Sequence, residues 1–192
     1  MVFSRAKVDF ATRLKVNNSV IDNMNAIKLL GVWITEDLTW AKNTVEICRK
    51  AYSRVSMLTK LKYVGVSIED LLNIYILFIR SCTEYCSVVF HSRLSGEQSA
   101  SIERIQKTCL KIILNESYVS YEAALEMTGL ETLHYRREQR CLDFSLKCLD
   151  HPRNSRLFPF NTAADEVNVR QKETVIVNWA RTETYRMSAL PY

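Results

Sequence analysis

The sequence predicts a mainly helical α+β fold, in which short antiparallel strands at the N-terminus precede a helical bundle and an irregular tail. The 192 residues include only 4 Gly and 3 Pro, which leaves little of the turn chemistry that a many-stranded protein needs. After the first forty residues, apolar side chains recur at steps of three and four, the period of an amphipathic helix. A hydrophobic fraction of 47% with 24% charged residues is typical of a globular protein.

The chain divides into three predicted parts. Residues 1–35 carry strand-type patterns, and because a few short strands are marginally stable alone, we interpret them as the remnant of a larger sheet domain. Residues 36–150 are predicted to form a helical domain. The helical periodicity fades at Pro152, so residues 151–192 are predicted to be a partly ordered tail.

Strand signals are concentrated in the first of these parts. Met1–Ser4 begins with a short apolar run that is typical of a strand. Leu14–Ile21 is predicted to be a hairpin, because Asn17 and Asn18 readily adopt the left-handed conformation that a two-residue turn requires. A third strand is predicted over Lys28–Ile34 and is expected to pair with this hairpin.

The first long helix is predicted to begin at Thr39, a common N-cap residue, and to stop at Gly65. The other faces of this helix carry basic residues, which include Arg49, Lys50 and Arg54. We therefore predict an amphipathic helix with a basic exterior. Its apolar positions recur at helical spacing and are Val45, Cys48, Tyr52, Val55, Leu58 and Leu61.

A second helix is predicted over Ile68–Phe90, since Ser67 followed by Asp70 is a capping-box signature. This stretch is apolar on nearly all sides, which favours a central core helix. A transmembrane helix is excluded on length, because Arg80 and Glu84 cut the apolar run to about half of the ~20 residues that a bilayer requires.

A third amphipathic helix is predicted after Ser95, which forms another capping signature with Gln98. Its residues Arg104, Lys107 and Lys111 stand at steps of three and four and therefore share one face. This face has two interpretations, a ridge that follows nucleic-acid phosphates or an ordinary solvated surface. The sequence leaves both open.

Two further helices are predicted. Ser120 is expected to cap a short helix over Tyr121–Met127, which Gly129 ends. A fourth long helix is predicted over Glu131–Asp150, and its faces mix apolar and basic residues.

The sequence contains no recognisable catalytic or cofactor-binding motif. Its four glycines are dispersed and cannot form a glycine-rich phosphate loop. Adjacent carboxylates occur at residues 36–37, 69–70 and 165–166, where helix caps and loops explain them, and there is no Asp-Asp pair. We therefore predict no enzyme activity, metal site or cofactor for the chain as given.

The six cysteines are predicted to be buried or half-buried free thiols, because no two of them form a CxxC pair. Cys141 and Cys148 with His151 are the one tempting metal-ligand cluster. Their spacing fits no zinc finger or zinc knuckle.

The net charge and the N-terminal residues indicate a possible type of partner and a cellular location, but no specific function. A net charge of +5 is compatible with a polyanionic partner without requiring one. Ser4, Arg5, Lys7 and Asp9 interrupt any apolar core of a signal peptide. An intracellular location, nuclear or cytoplasmic, is expected.

Several segments occur together in an order that matches a known pattern. They are Met-Val-Phe-Ser at 1–4, Lys-Leu-Leu-Gly-Val-Trp-Ile at 28–34, Asp-Leu-Thr-Trp at 37–40, Ile-Cys-Arg-Lys-Ala at 47–51, the stretches 75–85 and 94–114, Ser-Tyr-Glu-Ala-Ala at 120–124 and Gly-Leu-Glu-Thr-Leu at 129–133. In this order they resemble the C-terminal part of the reverse transcriptase of jockey-like non-LTR (LINE-type) retrotransposons. The likeness covers nearly the whole chain and is strongest over residues 28–150.

In that family the Leu-Gly-Val segment forms the strand turn called the primer grip, which holds the growing 3′ end, and the helices after it form the thumb, which clasps the template–primer duplex. The resemblance implies an RNA–DNA or RNA template–primer as partner, and no membrane. It implies a primer-grip-like role for Leu30, Gly31, Val32 and Trp33, and phosphate contacts for Arg49, Lys50, Arg54, Arg104, Lys107 and Lys111.

The resemblance leaves two alternatives open. Gly31 can instead mark a β-bulge, with Leu29, Leu30, Val32 and Ile34 as ordinary core residues. The metal-binding aspartates of the family's palm are expected upstream of residue 1 and are absent, and any Mg²⁺ would belong to that missing active site. The chain therefore resembles a non-catalytic fragment, and the rival interpretation is a vestigial or repurposed helical protein-interaction domain that binds no nucleic acid.

Overall fold

The computed structural model describes residues 15–20 and 24–151. These residues are mostly helical, and two short antiparallel strand pairs precede the helices, which confirms the predicted α+β, mainly α fold class. The strand predicted at residues 1–4 and the tail predicted beyond residue 151 lie outside the described residues. No helix in the described ranges is long and apolar enough to cross a membrane.

The first hairpin is the one that the sequence predicts. Strand β1 (Lys15–Val16) pairs with β2 (Ser19–Val20) in antiparallel register. Asn17 and Asn18 form the turn with φ values of 49° and 64°, so both adopt the left-handed conformation that a type I′ turn requires.

The strand predicted over Lys28–Ile34 is wrong, because these residues form a second hairpin of their own. Strand β3 (Ala26–Leu29) pairs with β4 (Val32–Thr35), and in the described part of the chain neither strand pairs with the first hairpin. Leu30 and Gly31 make the turn with φ values of 46° and 87°. Glycine accepts this conformation readily, whereas leucine rarely does. Of the two turn residues, only Gly31 is therefore typical of a hairpin turn.

Helix α1 (Ala41–Tyr63) begins two residues after the predicted N-cap. Trp40 is the N-cap residue, and the Thr39 hydroxyl instead donates to the Asp37 carboxylate at 3.0 Å. The predicted stop is confirmed, since Gly65 has a φ of 90° and its N–H donates to the carbonyl of Lys62 at 3.0 Å.

The buried face of α1 is rotated from the predicted one. Val45 and Tyr52 are exposed, although their spacing fits a helix. Small and polar side chains occupy part of the buried stripe, and a search for apolar periodicity passes over them. Small Ala51, for example, lets α5 pack closely against α1. The buried residues are Asn43, Thr44, Ile47, Ala51, Val55 and Leu58.

The second predicted helix is interrupted twice. Ser67 caps it as expected, since its hydroxyl accepts the N–H of Asp70 at 3.2 Å. Helix α2 (Ile68–Ile74) then continues through a π-helical segment (Tyr75–Arg80) into α3 (Ser81–Glu84). The helix does not run on to residue 90, because Cys86 has a φ of 52° and breaks it before α4 (Ser87–Phe90).

The prediction of a core helix holds for one face of this stretch. Leu71, Tyr75 and Ile79 are fully buried, whereas Leu77 and Phe78 are more than half exposed.

Helix α5 (Gly96–Leu114) contacts α1, α2, α6 and α7 and forms the centre of the bundle. Its capping box is complete: the Ser95 hydroxyl accepts the Gln98 N–H at 3.2 Å, and the Gln98 side chain accepts the Ser95 N–H at 2.9 Å. Both predicted capping residues therefore place the start of the central helix correctly.

Two helices complete the described fold. Helix α6 (Tyr121–Thr128) ends at Gly129 with a φ of 66°, as predicted. Helix α7 (Leu133–Asp150) begins two residues later than predicted, because Thr132 and not an earlier residue provides the cap. All six cysteines are free and lie in buried or half-buried positions, which confirms the prediction for them.

A polar network lies inside the apolar core around Gln106. This side chain is fully buried, and its Nε2 donates to the Tyr121 hydroxyl at 2.8 Å and to the Glu131 carbonyl at 2.9 Å. Its Oε1 accepts the hydroxyl proton of Tyr75. One amide on α5 therefore joins the π-helical segment, α6 and the start of α7.

We predict that Gln106→Leu costs about 2–4 kcal/mol of unfolding free energy, because two tyrosine hydroxyls and a backbone carbonyl lose their shared partner at once. Urea denaturation measures this cost. Gln139→Leu is the matched control, since Gln139 makes none of these contacts, and it should change stability by less than about 0.5 kcal/mol. Equal effects of the two substitutions would contradict a stabilising role for the network.

Candidate functional site

A groove of about 320 Å³ lies where the turn of the second hairpin meets α1 and α3. We call it the hairpin groove. It brings together two sets of residues that the sequence singles out separately, the hairpin turn and the basic face of α1. Its lining residues are Gly31, Val32, Asn43, Ile47, Lys50, Arg54, Ser81, Cys82 and Tyr85.

Tyr85 fixes the turn from the side of the helices. Its hydroxyl donates to the Leu30 carbonyl at 2.9 Å, across 55 residues of chain. A Cβ atom added to Gly31 would lie 3.3 Å from the Tyr85 ring, so the turn and the ring are in close contact. A hydrogen bond with the neighbouring Cys86 thiol raises the pKa of Tyr85.

Asn43 forms the floor of the groove beside the turn. Its Oδ1 accepts the backbone N–H of Trp33 at 3.1 Å, and this bond fixes which end of the amide is the oxygen. The Nδ2 is buried and has no hydrogen-bond partner in the described part of the chain. A buried amide donor without a partner is costly, so an acceptor on a ligand in the groove would be favourable.

Lys50 and Arg54 supply the positive charge. They stand four residues apart on α1, so they share the edge of the helix that faces the groove. The Arg54 guanidinium also donates to the Phe78 carbonyl in the π-helical segment, which holds the side chain in place. Because a guanidinium has five N–H groups, this contact leaves donors for a second acceptor.

The π-helical segment places the far wall of the groove. A π turn inserts an extra residue into a helix, which rotates the residues that follow it relative to a regular α-helix. Ser81 and Cys82 follow the segment directly and line the groove. Such turns are often found at functional sites, and this one borders the cationic groove.

Two of the predicted primer-grip-like residues do not line the groove. Leu30 lies at the tip of the turn and is 82% exposed. Trp33 is half-buried, and the Lys42 ammonium lies 3.9 Å from its ring centroid, so one face of the ring is covered. The alternative of a bulge with core residues is wrong for Gly31, which lies in the hairpin turn, and for Leu29 and Leu30, which are exposed. It is right for Val32, which is buried, and in part for Ile34, which is half-buried and packs against the core.

The predicted basic residues fall into separate groups. Arg49 points away from the hairpin groove, about 100° around α1 from Lys50, and pairs with Glu46 at 3.0 Å. The predicted face of α5 is present, since Arg104, Lys107 and Lys111 are all exposed. They do not line the hairpin groove.

On the basic face of α5, aromatic rings lie next to two of the charged side chains. The Lys107 ammonium lies 4.7 Å from the ring centroid of Tyr121, and the Lys111 ammonium lies 5.5 Å from that of Tyr118. These cation–π contacts orient the lysine side chains without neutralising their charge.

Sequence reasoning missed Asn43 and Tyr85. Asn43 interrupts an amphipathic pattern and was therefore passed over, and Tyr85 reaches a turn far away in the sequence. Asn43 could have been found as a polar residue one turn before the buried Ile47. No local signal could have revealed the role of Tyr85.

The groove offers donors and positive charge, which is the chemistry of anion binding. In the described ranges, no three side chains of His, Cys, Asp or Glu lie close enough together to hold a metal ion. Comparison with protein-family models, with curated proteins and with solved structures gives no match to this chain.

We predict that Gly31→Ala destabilises the protein by about 1 kcal/mol more than Gly65→Ala does. Both residues have a φ near 90°, so alanine is strained at either position, but only Gly31 has a neighbour, the Tyr85 ring, within 4 Å. Chemical denaturation of the two variants isolates the contact from the strain. Equal destabilisation would show that Tyr85 does not press on the turn.

Proposed function

We propose that the chain binds a nucleic-acid template–primer without catalysing synthesis, as a fragment similar to the end of the palm and the thumb of a non-LTR retrotransposon reverse transcriptase. The observation that carries the proposal is the hairpin groove, because it joins Gly31 and Val32 of the turn to Lys50 and Arg54. In the reverse transcriptases that the sequence resembles, the corresponding turn holds a primer end.

The chemistry of the groove suits a phosphate of the nucleic-acid backbone. Lys50 and Arg54 supply charge and hydrogen bonds, and guanidinium groups favour phosphate oxygens in particular. The Nδ2 of Asn43 supplies a donor that has no partner in the described part of the chain. Gly31 adds no side chain of its own to the groove, and the Tyr85 ring packs where its Cβ would lie.

The tip of the hairpin carries two unfavourable features that a bound strand would offset. Leu30 has a positive φ of 46°, a conformation that costs a leucine about 1–2 kcal/mol, and its apolar side chain is 82% exposed. Backbone strain of this kind is concentrated at functional sites. An apolar side chain at this tip would pack against a sugar or base of the strand.

The exposed face of α5 supplies a second set of phosphate contacts. Arg104, Lys107 and Lys111 are spaced along about two helical turns, so they can follow successive phosphates. In this proposal the hairpin groove positions one strand and the α5 face adds sequence-independent affinity. The protein acts in an intracellular compartment, nuclear or cytoplasmic, where such a partner occurs.

We predict that the purified chain extends no primer when it is given a template–primer, the four nucleotides and Mg²⁺. The proposed parent active site needs paired aspartates to hold the metal ions, and this chain has no Asp-Asp pair. A gel-based extension assay tests this. Robust synthesis would overturn the proposal that the chain is non-catalytic.

We predict that the chain binds an RNA–DNA hybrid with an affinity that falls steeply as salt rises, with a logarithmic slope of about −0.9 for each phosphate that is neutralised. Fluorescence anisotropy of a labelled hybrid at increasing KCl measures this slope. Lys50→Gln should lower the magnitude of the slope by about one. Changing Lys107 and Lys111 to Glu should weaken binding further.

Lys60→Gln is the matched control for Lys50→Gln, because Lys60 lies on the same helix but does not line the groove. It should leave the slope unchanged. A flat salt response, or equal losses from both lysine variants, would contradict phosphate binding in the hairpin groove.

A protein-interaction domain is the second candidate function, and the surface of α7 favours it. Leu142, Phe144 and Leu146 are each at least half exposed, and an apolar groove of about 210 Å³ includes Leu142 and Phe144 together with Val88 of α4. A folded chain that binds no hybrid at low salt would favour this candidate over the first.

A further inference from the structure

A second groove, of about 290 Å³, lies where the break between α3 and α4 faces α7. We call it the corner groove. None of the contacts in the proposed nucleic-acid function lies in it. The residues that matter for its chemistry are Ser87 on α4, Glu84 on α3, and Arg140, Asp143 and Lys147 on α7.

Ser87 is the feature that points to a ligand. It is 2% exposed, and its hydroxyl has no hydrogen-bond partner among residues 15–20 and 24–151. Almost all buried hydroxyls in proteins have a partner, because an unpaired one loses its hydration without compensation. A ligand oxygen in the corner groove would supply the missing acceptor.

The lining of the corner groove carries two carboxylates, Glu84 and Asp143, against two cations, Arg140 and Lys147. The excess of positive charge comes from the arginines behind Glu84. Arg140 places Nη2 2.9 Å from the Glu84 carboxylate, but that carboxylate is already held by Arg136 at 2.5 Å and by Arg80 at 4.0 Å. One buried carboxylate therefore faces three guanidinium groups. Burial lowers the pKa of Arg80 most and the neighbouring Arg136 adds to this, whereas the hydrogen bond to Glu84 raises the pKa of Arg136.

Lys147 adds a further positive charge. It lies seven residues after Arg140, which is two turns along the same face of α7. It is exposed and makes no ion pair with any residue in the described ranges. Asp143 is the opposing charge on this face of α7. Replacing it with an uncharged residue therefore tests whether the groove prefers an anion or a cation.

We propose that the corner groove binds a phosphate monoester or inorganic phosphate. The Ser87 hydroxyl donates to one phosphate oxygen, and Arg140 and Lys147 neutralise the dianion. Arg140 can do this while it holds Glu84, since a guanidinium has donors to spare. Two sources share this chemistry, free phosphate and the 5′-terminal phosphate of a nucleic acid.

The test is a two-dimensional ¹H–¹⁵N NMR titration of the full chain. The probes are inorganic phosphate and a short oligonucleotide with or without a 5′-phosphate. We expect saturable shifts at the amides of Ser87, Arg140 and Lys147. Ser87→Ala and Lys147→Gln should each weaken phosphate binding about tenfold.

Asp143→Asn should strengthen binding, because it removes a carboxylate from the groove. If the groove prefers a cation, the same substitution weakens binding of the cation and leaves phosphate unbound, which overturns the proposal. Ser87→Ala should fold normally, since it removes a polar atom that has no partner. Lys60→Gln should bind phosphate as the unchanged chain does.

The oligonucleotide arms separate the two sources. Shifts that require the 5′-phosphate identify a nucleic-acid end, and shifts with inorganic phosphate alone identify a free ion. Absence of saturable shifts, or shifts that survive Ser87→Ala unchanged, would overturn the proposal. Lys50→Gln should not affect this binding, so failure here is distinguishable from failure of the hairpin groove.

Discussion

Two polar side chains of α5, the buried Gln106 and the half-buried Glu103, help to hold the other helices in position. Gln106 joins the π-helical segment to α6, and Glu103, one turn earlier, caps α7 by accepting the N–H groups of Leu133 at 3.0 Å and His134 at 3.1 Å. Apolar packing alone tolerates sliding of one helix along another, whereas these bonds have fixed partners and directions. These two side chains of the central helix therefore help to place the start of α7, and the ion pairs of Arg136 and Arg140 with Glu84 hold it against α3.

The break after α3 turns this scaffold into two sites. Glu84 and Tyr85 are neighbours, yet Glu84 points to the arginines of α7 and Tyr85 reaches the Leu30 carbonyl. In a continuous α-helix these two side chains would be only about 100° apart around the same helix axis. Because the left-handed Cys86 ends the helix at this point, the hairpin groove forms on one side of the corner and the corner groove on the other.

Local signals in the sequence predicted several helix ends, because a cap is decided within a few residues, although the predicted cap at Thr39 and the predicted helix end at Phe90 are wrong. Ser67, Ser95 and Gly129 mark the boundaries that the structure has. No Gly or Pro near Cys86 indicates the break in the sequence, and the break depends on tertiary contacts. For the candidate site, the sequence supplied Gly31, Val32, Lys50 and Arg54, but it could not show that they share a groove. Their meeting depends on the second hairpin turning at Leu30, a residue that disfavours the conformation.

Whether a cationic side chain can bind a ligand depends more on its own ion-pair partners than on the net charge of +5. Arg49 is compensated by Glu46, and Arg136 by Glu84 and Glu131. These side chains contribute to the formal charge, but a ligand would have to compete with a carboxylate for them. Lys50 and Lys147 make no ion pair in the described part of the chain, and each lies at a groove that also contains a buried, unpartnered donor. A donor of this kind gains most from an anion that also meets a free cation. In the part of the chain that the structure describes, the two grooves therefore combine available positive charge with a free donor, whereas the α5 face offers available charge alone.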